Sequence, residues 1–164
     1  MKERQLTIGT PEDNFRLVYC RGEETSKIIE CFRETPLVFI YAYAGNGKTA
    51  FGVEFRERVP DTSLILGAQL GMDEFKGKGL YDDNFTKAKI IIADEFDVTA
   101  HLGERNNIYK LLSEGKKFIF MVHFPKSRYI EWRKQHQKYL GLILELIDDY
   151  PEAPWIHLTR FTGI

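Results

Sequence analysis

Short apolar runs alternate along the chain with stretches whose apolar residues have helical spacing. The first run, 37–42, is continuously apolar over the length of one strand, which is typical of a strand buried on both faces. Four later runs are also predicted to be strands: 64–66, 89–93, 118–122 and 155–159. Parallel strands need crossover connections, which are usually helical. The pattern therefore predicts an α/β fold, with a parallel sheet covered by helices on both faces.

The predicted helices lie between these strands. They span 25–34 (capped by Thr25 or Ser26), 48–58, 105–114 and 127–147. Gly115 closes the third helix, and Gly141 is the expected site of a bend in the fourth. Residues 67–85 are rich in glycine and acidic residues and are predicted to be mostly loop.

Composition limits the class of protein. The 164 residues fit a single domain, 1–164, in which a turn-rich segment, 1–23, precedes the core, 24–164. A net charge of −1 argues against a surface that binds polyanions everywhere, although a local basic face is compatible with it. Cys20 and Cys31 do not make a disulfide framework, and no apolar run approaches the ~20 residues of a membrane span. We expect a cytoplasmic protein with no membrane partner.

Residues 42–49 read Ala-Tyr-Ala-Gly-Asn-Gly-Lys-Thr and match the relaxed phosphate-loop pattern [AG]-x4-G-K-[ST]. Small residues let several backbone amides approach a phosphate, and the following helix adds its N-terminal dipole. The predicted nucleotide-binding residues here are Ala44, Gly45, Asn46, Gly47, Lys48, Thr49 and Ala50. Lys48 would reach the β- and γ-phosphates during catalysis, and the Thr49 hydroxyl would bind Mg²⁺. The alternative is a tight strand-to-helix turn with an exposed lysine.

An acidic pair ends the third predicted strand. The apolar residues 90–93 run into Asp94 and Glu95, 46 positions after Lys48. Asp94 would hold Mg²⁺, and Glu95 would orient the attacking water as the second catalytic residue. The alternative is that Asp94 only caps the following loop. The adjacent Glu95 favours hydrolysis over phosphoryl transfer to a small molecule.

Polar and basic residues follow the fourth strand. His123, at its end, is a candidate γ-phosphate sensor, with a surface or capping histidine as the alternative. Between Lys116 and Lys138 lie seven basic residues and one acidic residue, Glu131. The basic residues are Lys116, Lys117, Lys126, Arg128, Arg133, Lys134 and Lys138. With the interleaved aromatic residues, this segment could contact DNA, supply an arginine finger to a neighbouring subunit, or form a solvated helix face with Trp132 in the core.

With these motifs in place, residues 15–129 resemble the ATPase core of phosphate-loop NTPases of the additional-strand, catalytic-glutamate class. The chain is most similar to the AAA+ replication-initiator and helicase-loader group (DnaA-like). Three stretches carry the resemblance: 37–49, 88–96, and 107–117 leading into the fourth strand with Pro125 just past it. The resemblance implies the sheet order 5-1-4-3-2, Mg²⁺-dependent ATP hydrolysis, and action in an oligomer or on a nucleic-acid machine. The chain departs from the family pattern in one respect, because we expect no helical lid domain after the fifth strand.

Three function classes follow from these residues. The first is an ATPase that works on DNA or on a DNA-bound partner. In its short length and in Phe96 after the acidic pair, the chain also resembles viral DNA-packaging motors. We therefore expect a phage or mobile-element origin. The second class is a small-molecule kinase. A kinase lid usually supplies an arginine that stabilises phosphate charge, but no arginine lies between Arg58 and Arg105. The third is a nucleotide-binding switch without catalysis.

Overall fold

The computed structural model describes residues 5–6, 18–19, 22–42, 47–65, 87–94, 96, 105–133 and 137–158. Its strands are β1 (Gln5–Leu6), β2 (Val18–Tyr19), β3 (Leu37–Tyr41), β4 (Thr62–Ile65), β5 (Ile90–Ala93), β6 (Lys117–Val122) and β7 (Trp155–His157). Its helices are α1 (Gly22–Cys31), α2 (Lys48–Arg58), α3 (Arg105–Ser113), α4 (Lys126–Trp132) and α5 (Gln137–Asp149). The loop predicted at 67–85 lies outside these residues.

The five core strands form one parallel sheet in the order β4-β5-β6-β3-β7. If the core strands are numbered 1 to 5 in chain order, starting from β3, this order reads 2-3-4-1-5. It is the predicted order 5-1-4-3-2 read from the opposite edge, so the prediction is confirmed. In the register, Phe39 of β3 lies opposite Phe120 of β6 and Trp155 of β7. β5 and β3 flank β6 and do not pair with each other.

Both faces of the sheet are buried, which explains the continuously apolar strands. Leu37, Phe39 and Phe120 lie on the face covered by α3, α4 and α5. Val38 and Met121 lie on the opposite face, under α1 and α2. Successive residues of a strand point to opposite faces, so a strand between two helical layers needs apolar side chains at every position. The predicted three-layer α/β architecture is confirmed.

Helix α2 lies unusually close to the sheet at Gly52. A Cβ on Gly52 would come within 3.0 Å of the Met121 Cε atom and 3.3 Å of the Leu64 Cδ1 atom. A side chain here would press on the sheet, so the glycine permits the close approach. The helix that packs closely here begins with Lys48, Thr49 and Ala50, which are among the predicted phosphate-binding residues.

The structure corrects the expectation of one long helix at 127–147. That stretch contains two helices, α4 and α5, and Gly141 lies inside α5 instead of at a bend. Both helices bury side chains in the same core cluster, Tyr129 from α4 and Leu142 and Leu146 from α5. Burial on a common face outweighs the roughly 1 kcal/mol helix penalty of one glycine. The turn-rich segment 1–23 also contains the antiparallel pair β1–β2, which the pattern did not predict.

Polar contacts tie α3 to α5 on the outside of the sheet. The Arg105 Nε atom lies 2.7 Å from each carboxylate oxygen of Glu145, and its guanidinium carbon lies 5.0 Å from the centre of the Tyr109 ring. The Tyr109 hydroxyl donates a 2.6 Å hydrogen bond to Asp149. Burial, and then the hydrogen bond to Asp149, raise the pKa of Tyr109 far above its usual value. These contacts hold the helix that precedes β6.

Candidate nucleotide-binding site

Gly47 begins the site by setting the direction of α2. Its φ of 84° and ψ of 26° are left-handed, and its carbonyl accepts the first helical hydrogen bond, from the Phe51 amide at 2.9 Å. A Cβ at Gly47 would meet no atom within 4 Å, so the glycine is required by its backbone angles and not by space. The turn places the N-terminus of α2, which favours anions, at the carboxyl end of β3.

Lys48 is buried at the same edge of the sheet. Its ammonium donates a 2.6 Å hydrogen bond to the carbonyl oxygen of Ala42, the residue that follows β3. The Ala42 amide in turn donates to the carbonyl oxygen of Val122, the last residue of β6. A buried cation needs oxygen partners, and this carbonyl supplies one of them. The predicted alternative, a turn with an exposed lysine, is wrong, because only 7% of Lys48 is accessible.

Thr49 of α2 and Asp94 come together although β3, which precedes α2, and β5 are not neighbours in the sheet. The Thr49 hydroxyl donates a 2.6 Å hydrogen bond to the Oδ2 atom of Asp94, which directly follows β5 and is 3% exposed. A hydroxyl and a carboxylate are oxygen ligands of the type that Mg²⁺ prefers. The structure therefore unites both residues that the sequence assigned to the metal.

The other predicted site residues divide into two groups. Ala50 lies in the first turn of α2, and half-buried His123 directly follows β6, beside the Ala42–Val122 hydrogen bond. Four residues lie outside the described part of the chain: Ala44, Gly45, Asn46 and Glu95. The described members all lie at the carboxyl edge of the sheet, where open α/β sheets bind their ligands.

The basic segment from Lys116 to Lys138 is not one continuous surface. Lys116 and Lys117 lie where β6 begins, whereas Lys126 and Arg128 follow its end. β6 begins at Lys117 and spans about 17 Å, which separates the two groups. Arg133, also on the later side, pairs with Asp148 at 2.6 Å. The side chains of Lys134 and Lys138 lie outside the description.

An arginine–aromatic cluster, formed by Phe124 and by Arg128 and Trp132 of α4, directly follows His123 in the chain. The guanidinium carbon of Arg128 lies 5.6 Å from the centre of the Phe124 ring and 5.5 Å from that of Trp132. The Tyr129 hydroxyl accepts a 3.2 Å hydrogen bond from the Phe124 amide and so fixes the start of the cluster. Sequence reasoning did not single out Phe124. The signal was the spacing of four residues between Arg128 and Trp132, which puts these two side chains on one face of α4, just after Phe124.

Strand order, helical layers and the edge formed by Gly47, Lys48, Thr49 and Asp94 together define the phosphate-loop NTPase fold. Sequence comparison finds no match to a protein-family model and none among curated proteins.

The solved structures that share this fold include the following two. One is described as a DNA replication initiation factor: it is 15% identical, has a TM-score of 0.57, and the match covers 93% of this chain and 47% of that one. The chain thus spans about half the length of that protein. The other, described as a putative primosome component from Streptococcus pyogenes serotype M3, is 14% identical with a TM-score of 0.58, over 96% of this chain and 93% of that one. Within the described residues, no helix has the length and apolarity to cross a bilayer.

Proposed function

We propose that this protein is a Mg²⁺-dependent ATPase that acts on DNA or on a DNA-bound machine in replication. The observation that carries the proposal is the Thr49–Asp94 hydrogen bond of 2.6 Å, which lies at the sheet edge that also holds Lys48. The DNA part is supported by the two fold neighbours, a DNA replication initiation factor and a putative primosome component.

The residues of this edge fit the nucleotide and its metal ion. Thr49 and Asp94 place two oxygen groups side by side, and both would hold a shared Mg²⁺ ion. Bound Mg²⁺ would neutralise charge on the phosphate oxygens. Gly47 and the loop before it would bind phosphates through backbone amides, and Lys48 would place its charge on the β- and γ-phosphates.

Hydrolysis in this proposal depends on Glu95. Its carboxylate would accept a hydrogen bond from the attacking water and orient it towards the γ-phosphorus. The new P–O bond forms as the bond to the β–γ bridging oxygen breaks, which releases ADP and phosphate. His123 would contact the γ-phosphate from the end of β6. Positioning and charge stabilisation supply most of the rate enhancement in such reactions.

DNA contact in this proposal belongs to α4, not to the whole basic segment. The arginine–aromatic cluster offers ring faces and a guanidinium, and Lys126 adds a second cation on the same helix. Single-stranded nucleic acids bind to such combinations of stacking surfaces and charge. Because α4 follows His123 after only two residues, bound DNA would lie near the nucleotide site.

The test is phosphate release from ATP with and without single-stranded DNA. We expect Mg²⁺-dependent release that DNA stimulates. Lys48→Ala should weaken ATP binding, and Glu95→Gln should retain ATP but slow turnover by at least tenfold. Lys27→Ala, which changes an exposed lysine of α1, is the control and should leave both unchanged. Wild-type turnover in Glu95→Gln would contradict the assigned role, and transfer of phosphate to a small-molecule acceptor would indicate a kinase.

Three further expectations stay predictions. Action in an oligomer or with a protein partner can be checked by the mass of the protein in solution with and without ATP. A cytoplasmic location and a phage or mobile-element origin, including a role like that of viral packaging motors, rest on the sequence alone.

A further inference from the structure

A concave surface lies where β5 and β6 begin, at the end of the sheet opposite the candidate nucleotide site. It is a cleft of about 450 Å³, and its apolar lining comes from Ile29 and Phe32 near the end of α1, Val59 after α2, and Ile90 of β5. Its volume is in the range of cavities that hold ligands or side chains of a partner. Nothing in the proposed ATPase uses this cleft.

Ile29 gives the cleft an exposed apolar border. Its exposed fraction is 42%, and among the described residues only one other large apolar side chain is classed as exposed, Ile130 on α4 at 43%. A single exposed isoleucine is ordinary on a protein surface. Ile29 differs from Ile130 because it borders a cleft that is itself apolar. Ile29 and Ile130 are therefore a matched pair of equally exposed isoleucines, one at the cleft and one away from it.

Positive charge surrounds this apolar lining. Three lysines and one glutamate complete the cleft: Lys89, Lys116, Lys117 and Glu114. The Lys89 side chain is 80% exposed, and its ammonium lies 3.8 Å from Asp61, which is also exposed. Such a surface pair contributes little and leaves the lysine available to other anions. The lining is thus positive in a chain whose net charge is −1.

We infer that this cleft binds a protein partner through a segment that presents an apolar side chain between carboxylates. The apolar side chain would bury against Ile29, Phe32 and Val59, and the carboxylates would meet the lysines. Burial of an apolar anchor supplies affinity, and charge complementarity selects acidic over basic segments. Nucleic acid suits this surface less well, because its phosphates gain nothing from an apolar floor.

Three elements connect the cleft to the nucleotide site without overlapping it. Helix α2 begins at Lys48 and ends beside Val59, β5 runs from Ile90 to the residue before Asp94, and β6 runs from Lys117 to the residue before His123. Partner and nucleotide can therefore bind at the same time. The inference does not depend on ATP hydrolysis, so its failure and that of the proposed function are distinguishable.

The experiment is a selection of random displayed peptides on the full-length protein, followed by fluorescence anisotropy of the enriched peptides. We expect enriched sequences with an aliphatic or aromatic residue flanked by Asp or Glu, and at least tenfold weaker binding to Ile29→Asp and to Lys89→Glu/Lys117→Glu. Ile130→Asp is the matched control and should bind as the wild type does. Unchanged circular dichroism of each variant shows that the fold is retained.

Other outcomes would overturn the inference. These are enriched peptides that are basic, enriched peptides that bind Ile29→Asp as well as the wild type, and no enrichment at all. Self-association that Ile29→Asp abolishes, with no acidic peptide bound, would assign the cleft to a second copy of the chain. Displacement of the peptides by single-stranded DNA, with binding of that DNA lost in Lys89→Glu/Lys117→Glu, would assign it to nucleic acid.

Discussion

The Thr49 hydroxyl lies 2.6 Å from the Oδ2 atom of Asp94, although β6 separates the two strands that lead to these residues. The hydrogen bond therefore depends on the register of three strands. Asp94 is buried at 3% exposure, so its carboxylate relies on donors from the protein. This pair connects the first turn of α2 to the carboxyl end of β5.

Removing the Thr49 hydroxyl should weaken binding of the nucleotide with its metal. Thr49→Val keeps the shape of the side chain but removes the donor to Asp94 and the predicted metal ligand. Because one oxygen ligand of the metal is lost, affinity for Mg²⁺-ATP should fall by about tenfold or more. Isothermal titration calorimetry with Mg²⁺ and with a chelator measures this. Thr49→Ser should bind nearly as the wild type does, and equal affinity of Thr49→Val would exclude the metal role.

Gly47 and Gly115 provide a matched pair for the effect of backbone strain. Their φ angles are +84° and +89°, and a Cβ on either would meet no atom within 4 Å. Either change to alanine should destabilise the fold by about 1–2 kcal/mol, the strain of a left-handed residue. Only Gly47→Ala should also weaken ATP binding, because only Gly47 caps the start of α2. Denaturant unfolding and calorimetry separate the two effects, and equal loss of affinity in Gly115→Ala would show that strain alone is responsible.

Much of the fold could be predicted because local signals agreed with tertiary packing. The strands of the sheet and helix α2 follow from apolar runs and from Pro60, and the Schellman hydrogen bonds from Gly115 to Leu112 and from Lys116 to Leu111 confirm the predicted end of α3. The strand order came from the resemblance, since periodicity does not determine which strands pair. The sequence also suggested that Thr49 and Asp94 act together, and the structure supplied their distance.

The basic segment offers a test in which two arginines should behave differently. The Arg128 guanidinium lies over the rings of both Phe124 and Trp132, whereas Arg133 is held by Asp148. Arg128→Ala should therefore reduce affinity for single-stranded DNA about tenfold and flatten its salt dependence, while Arg133→Ala should have a smaller effect. Fluorescence anisotropy with oligothymidine at several salt concentrations measures both. A larger loss of DNA affinity in Arg133→Ala than in Arg128→Ala would contradict DNA binding by the arginine–aromatic cluster.

Tyr109 should make the stability depend on pH in the alkaline range. Burial and the hydrogen bond to Asp149 raise its pKa in the folded state, so the folded protein holds the phenolic proton more tightly than the unfolded chain does. This contribution is complete below the unfolded pKa of about 10 and is lost as the pH rises towards the folded value. Denaturant unfolding across this range should show a steeper decline for the wild type than for Tyr109→Phe. Identical slopes would mean that another group controls the decline.

The parts that the sequence did not reveal depend on contacts between distant residues. No proline or glycine lies between Arg133 and His136, so the pattern carried no break between α4 and α5. The break is compatible with burial of both helices on one face of the sheet, which periodicity cannot show. The salt bridge that occupies Arg133 joins residues 15 positions apart and has no sequence signature either. The apolar cleft likewise combines four separate segments.

The hydrogen bond between Thr49 and Asp94 also has a consequence for how the chain folds. The two residues are 45 positions apart, and they meet only after β6, which comes later in the chain than both, has inserted between β3 and β5. Such non-local contacts form late and slow the folding of parallel sheets. A chain synthesised only as far as Asp94 therefore lacks the strand that unites these two residues. Mg²⁺-ATP would then recognise only the completed sheet, and its binding would select the native chain over partly folded ones.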